Sequence, residues 1–92
     1  MLETKQIGDW TGILIRLKNA NLVMIVAEKG FVGCGYFNVE AADKKEDAMA
    51  IVTDVKTLDD VLNAQITKVS SKAREFGVTE GMTGKEALNL LS

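Results

Sequence analysis

The chain has 92 residues, 47% of them apolar and 26% charged, with a formal net charge of −2. That length holds one domain, and surface scaling leaves it one small core, with roughly 64% of the unfolded surface buried. The apolar content excludes a disordered tail. The near-neutral charge balance argues against a nucleic-acid partner, which selects a basic face. The longest apolar run, Leu22 to Ala27, is far short of the ~20 residues that span a bilayer, so no membrane partner is expected.

Residues 1 to 9 are polar and read as a flexible lead, frayed or recruited to an edge. From Trp10 the pattern tightens. Ile13, Ile15 and Leu17 alternate with Leu14, Arg16 and Lys18 as in a half-buried strand. Asn19-Ala20-Asn21 makes a turn. Leu22 to Ala27 reads as a strand buried on both faces. Lys29-Gly30 turns again and Phe31 to Tyr36 returns, so the first half predicts a three-stranded antiparallel meander. Asn38 is placed to cap a short polar helix running to about Glu46. Ala48 to Val55 reads as a core strand. Thr57 with Asp60 opens a helix whose Leu58, Val61 and Leu62 form an i, i+3, i+4 stripe. Ile66 to Val69 is a short strand, and Ser70 or Ser71 starts a helical turn that Gly77 ends. Thr83-Gly84-Lys85-Glu86 is a Thr-x-x-Glu capping box opening the last helix. The expected order is βββαβαβαα: an α+β domain with a mixed sheet, residues 10–36 β-rich and residues 37–92 mixed.

The residue types that are missing narrow the chemistry. Without histidine the commonest general base and metal ligand are gone, and no Ser-His-Asp or Cys-His set can form within one chain. One cysteine, Cys34, allows neither an internal disulfide nor a cysteine zinc site. No metal or cofactor is expected, and a lone thiol without an export signal fits a reducing, cytoplasmic setting.

Cys34 lies between Gly33 and Gly35, with Asn38 shortly after. Two readings compete there. One is an activated thiol, with Asn38 or Asp54 or a neighbouring subunit's lysine assisting. The other is a small buried hydrophobe beside glycines that mark a bulge or a close contact. Asp54 closes an apolar strand, where functional side chains and ordinary turn chemistry both occur. Gly30, Gly33 and Gly35 have the reverse of the dinucleotide-loop spacing and lie in a strand pattern. Gly84-Lys85 lacks a phosphate loop's earlier glycine, because position 79 is threonine, and lacks its magnesium-binding hydroxyl, because position 86 is glutamate. Anion-holding backbone near Gly33, Gly35 and Asn38, or at Thr83 and Gly84, is the remaining binding signal. Ser70, Ser71, Lys72 and Arg74 form a small polar-basic cluster that, with Lys68, offers a weaker phosphate site.

Four segments carry a family resemblance: Lys18-Asn19-Ala20, GFVGCGYFNVEAADK (30 to 44), AIVTDVKTLDDVLNAQI (50 to 66) and VSSKAREFGVTEGMTGKEALNLL (69 to 91). From about residue 12 onward the chain resembles the YunC-like family, a domain of unknown function found in archaea and bacteria. The resemblance implies a small α+β domain whose N-terminal strands mediate tetramer formation, and it brings no catalytic residue. Apolar residues on both faces of the first strands point the same way, because a chain this short cannot cover both. Trp10 and Phe31 are candidate anchors. The expected function is a homo-oligomeric binding module for a small anionic ligand near the Cys34–Asn38 junction. A thiol-dependent enzyme and a structural subunit of a larger complex are the alternatives.

Overall fold

The computed structural model describes all 92 residues. Ten elements follow one another: β1 (Leu2–Ile7), β2 (Trp10–Arg16), β3 (Asn21–Val26), β4 (Gly30–Gly33), α1 (Val39–Lys45), β5 (Ala48–Ile51), α2 (Leu58–Asn63), β6 (Lys68–Val69), α3 (Ser71–Glu75) and α4 (Gly84–Leu90). The strands form one six-stranded sheet in sequence order. Neighbours are antiparallel except β4 and β5, which run parallel across the α1 crossover. The fold is α+β with a mixed sheet, as the sequence pattern predicts.

The meander has four strands instead of three. Of the two readings of residues 1–9, the flexible lead gives way to the edge strand: Leu2 to Ile7 pair with β2 from Leu2↔Ile15 to Ile7↔Trp10. Gly8, at φ 61°, makes the turn between them. The polar side chains of this segment conceal a strand because the ladder is a backbone property and an edge strand tolerates polar residues on both faces.

The burial pattern of β2 and β3 also differs from expectation. Gly12, Leu14, Val23 and Ile25 are the buried positions, while Ile13, Ile15, Met24 and Val26 are only half-buried. The register explains this. Leu14 pairs with Val23 and Gly12 with Ile25 on one face, and Ile13 pairs with Met24 and Ile15 with Leu22 on the other. Helix α2 packs on β2 and β3, and α4 on β4 and α2. Both therefore cover the Leu14 face, and the main core gathers there around Val23, Ile25, Val32, Val61, Leu88 and Leu91.

Only α1 covers the opposite face, and only at one end, where Ala42 meets Met49 and Ile51 with Phe31, Phe37 and Val39 around them. Over β1 to β3 that face stays open. Its positions are Leu2, Thr4, Gln6, Thr11, Ile13, Ile15, Leu22, Met24 and Val26, and none is charged. The charges of these strands, Glu3, Lys5 and Arg16, alternate onto the helix-bearing face, where Arg16 pairs with Glu3 at 2.7 Å.

Four helices begin at side-chain caps. Asn38 Oδ1 accepts from the Ala41 N–H, Ser70 Oγ from Ala73, and Thr57 and Thr83 form reciprocal capping boxes with Asp60 and Glu86. Ser70 also accepts from the Met49 N–H (2.9 Å) and donates to the Asp47 carbonyl (2.8 Å), so this fully buried hydroxyl joins the start of α3 to the start of β5. No helix is long and apolar enough to cross a membrane.

Candidate functional site

Parallel strands end on the same side of a sheet, so the segments following β4 and β5 emerge together, at the edge where mixed sheets often hold ligands. Antiparallel β3 begins at that edge, which brings the β2–β3 turn alongside. The result is a cleft of ≈ 650 Å³ with three walls: Leu17 to Asn21, Cys34 to Tyr36, and Asp54 to Lys56. The turn is closed by the Leu17 N–H donating to the Ala20 carbonyl (2.9 Å). Asn21 Nδ2 donates to the Lys56 carbonyl at 3.0 Å and ties the first wall to the third. The third wall is fixed from below by Asp60, whose Oδ2 accepts from the N–H groups of Lys56 (3.0 Å) and Thr57 (3.2 Å). These two donors hold the Asp60 carboxyl below its ordinary range, Lys56 contributing most.

Of the residues singled out from the sequence, Cys34, Gly35 and Asp54 meet here. Cys34 is 4% exposed and belongs to the main core; its backbone N–H donates to Val23 and its carbonyl accepts from Phe37. The sulfur thus packs as a small hydrophobe. Asp54 is exposed at φ 57°, a left-handed conformation that aspartate adopts more readily than most residues. Gly35 is exposed and unhindered.

The other candidates lie elsewhere. Asn38 does not line the Cys34 cleft: it caps α1 and borders a separate cleft of ≈ 340 Å³ beside Lys68 and Glu80. Gly33 is buried because Phe37 packs where its Cβ would stand. At the start of α4 the Glu86 carboxylate accepts from the Thr83 N–H (2.9 Å) and hydroxyl (3.1 Å), so the helix supplies its own anion. Those bonds hold the Glu86 carboxyl below its ordinary range. Gly84 is buried against the Val61 carbonyl and sets the close approach of α4 to α2. The polar-basic cluster is likewise committed internally. Arg74 grips Glu80 through both guanidinium nitrogens (3.0 and 2.8 Å), and Lys72 pairs with Glu75 at 3.6 Å.

Lys18, Tyr36 and Lys56 are the cleft residues that pattern reading missed. Each stands in a turn where a lysine or tyrosine looks like ordinary surface, and the turns come together only through the antiparallel β3–β4 and parallel β4–β5 pairings. Neither lysine forms an ion pair. The cleft lining includes Lys18 and Lys56 with Asp54, beside the apolar Leu17, Ala20, Cys34, Tyr36 and Val55, and the Lys56 charge also acts on the Asp60 carboxylate. Such a lining can hold and orient an anion, and the Cys34 side chain that borders it is almost wholly buried.

Comparison with known proteins agrees with the fold. The chain is 29% identical over 83 residues to the uncharacterized protein YunC of Bacillus subtilis (strain 168), covering 86% of this chain and 82% of that one. It superposes with a TM-score of 0.89 on the crystal structure of TA1206, a protein of unknown function from Thermoplasma acidophilum. The two share 32% sequence identity, and the match covers 100% of this chain and 92% of the other. Residues 33–91, from the end of β4 through α4, match the family described as Domain of unknown function (DUF1805). With well over half of its length in that match, the chain belongs to the DUF1805 family.

Proposed function

We propose that the protein is a cytoplasmic homo-oligomeric binding module that holds a small anionic ligand in the cleft between Lys18, Gly35 and Lys56. The observation that carries this reading is Gly35. Among the eight glycines of the chain, every other one has either a positive φ or a neighbour standing where a Cβ would go. Gly35 has neither. Where the backbone would accept alanine, a glycine forgoes about 0.4–1 kcal/mol of stability through the greater entropy of the unfolded chain, so an unforced one calls for another reason. A bare backbone on the wall of a cleft lets a ligand approach closely, and two unpaired lysines favour an anion there.

Self-assembly, to a tetramer through the N-terminal strands, is supported by the open face of β1 to β3. Ile13, Ile15, Met24 and Val26 pack against neither core cluster, and an uncharged surface meets its own copy without like-charge repulsion. A standard interface buries about 1,600 Å² in total, a large addition to so small a core.

Substituting Gly35→Ala tests the binding reading. The variant is expected to melt at the same temperature as the parent or higher, by up to about 1 kcal/mol of added stability. The rise in melting temperature produced by phosphate, sulfate or citrate is expected to shrink or vanish, because the methyl group intrudes on the ligand. If none of these anions stabilises the parent, or if the variant keeps the whole effect, the reading is wrong. Co-purification of a stoichiometric foreign subunit would favour a structural role instead.

A further inference from the structure

We infer that the ligand of this cleft carries its negative charge on a planar, apolar body, as an aryl or heteroaryl phosphate or carboxylate does; the inference rests on the binding reading above. A bare oxyanion leaves most of the site unused, because ≈ 650 Å³ lies within the range of about 300–1,000 Å³ that holds far larger molecules. Two of the chain's exposed large apolar side chains, Leu17 (44%) and Tyr36 (57%), stand at this one rim. The Tyr36 ring has no stacking partner within the chain. The aromatic pair is Phe31 with Phe37, and both lysines that lie over a ring lie over Phe76. An unpartnered ring beside a bare glycine wall offers its face to a flat molecule. Lys18 and Lys56 then meet the anionic group, and Asp54 accepts from any N–H or O–H on the body.

Three probes separate the parts: inorganic phosphate, phenyl phosphate and phenol, titrated by calorimetry at fixed pH and ionic strength. Phenyl phosphate is expected to bind at least fivefold more tightly than inorganic phosphate. Tyr36→Ala is expected to bring the two to parity, Tyr36→Phe to preserve the difference, and Lys56→Met to weaken both. Tyr36 is exposed, so the alanine variant removes no core contact, and the ratio measured on the parent protein stands without it. Equal binding of the two phosphates, unchanged by Tyr36→Ala, overturns the inference and leaves the anion reading intact. Phenol binding as tightly as phenyl phosphate, or no binding by either phosphate, overturns the anion reading itself.

Discussion

Residues 1–33 and residues 34–92 reach stability by different routes. The first region is a meander of four strands joined by tight turns, and over β1 to β3 one face carries no helix. In the second, strands alternate with helices, and each helix begins at a capping side chain: Asn38, Thr57, Ser70 and Thr83. Every strand residue of β5 is buried, whereas every residue of β1 before Ile7 is exposed. The second region supplies all the helices, and α2 and α4 pack back on β2 to β4 of the first; the outer face of β1 to β3 carries none. The candidate cleft lies where the two meet, taking one wall from the first and two from the second.

The largest effect expected within the second region comes from Gly84. A methyl group there runs into the backbone carbonyl of Val61, which cannot rotate aside as a side chain would. Gly84→Ala is expected to lower stability by about 3 kcal/mol, the upper part of the overpacking range, read as a fall in the denaturant midpoint. A loss below ~1 kcal/mol would mean that α4 slides freely on α2, and the helices of the second region would not pack as tightly as described.

Neighbouring positions in β2 give the sharpest contrast between the two faces. Leu14 is buried in the main core and Ile13 lies on the open face. Leu14→Ala is expected to cost about 2–3 kcal/mol. Ile13→Lys is expected to leave the unfolding of the isolated chain within about 1 kcal/mol of the parent while abolishing self-association, as read by sedimentation velocity across a dilution series. An Ile13→Lys protein that keeps the parent's association state would show that the open face is not where copies meet.

A smaller effect separates caps from packing. Thr83→Ala removes the hydroxyl that accepts from the Glu86 N–H at 3.2 Å. The expected loss is ~1 kcal/mol, with Thr83→Ser restoring most of it in thermal melts. The reciprocal bond from the Thr83 N–H to Glu86 survives in both variants, so a loss as large as that of Gly84→Ala would point to tertiary packing by the threonine methyl instead.

The caps were the most legible part of the molecule, because a Thr or Asn at a fixed offset from its partner is a purely local signal. Thr57–Asp60, Thr83–Glu86 and Asn38 all act as their spacing predicts. The meander and its turns were legible for the same reason. Three things were not. β1 was hidden because its side chains are polar while its ladder is made by backbone. The choice of Leu14 over Ile13 as the core position depends on which face α2 and α4 take, which alternation alone does not decide. Within the candidate site, Cys34, Gly35 and Asp54 each stand out singly, but their three segments meet only through the sheet pairing: parallel β4–β5 joins Cys34–Tyr36 to Asp54–Lys56, and antiparallel β3 brings the turn that holds Lys18.

Each region also carries one exposed arginine–glutamate pair, and the pair gives the finest comparison. In the first region a single Arg16 nitrogen meets Glu3 at 2.7 Å. In the second, Arg74 holds both oxygens of Glu80, at 3.0 and 2.8 Å. Both carboxyls are held below their ordinary value of 4.5, chiefly by the arginine hydrogen bond, and Glu80 is brought to about 2. A depressed folded-state value means that the Glu80 contribution is fully present above about pH 4.5 and is lost as pH falls toward 2. Because both pairs are exposed, the stability change is expected to be small, so the carboxyl titrations themselves are the measurement. Side-chain NMR should place the Glu80 midpoint near 2 and return it toward 4.5 in Arg74→Gln. Arg16→Gln should move Glu3 in the same direction and leave Glu80 where it was. A Glu80 midpoint already near 4.5 in the parent would mean that the two-point grip opens in solution, and the α3–Glu80 corner would then be as loosely tied as the β1 edge.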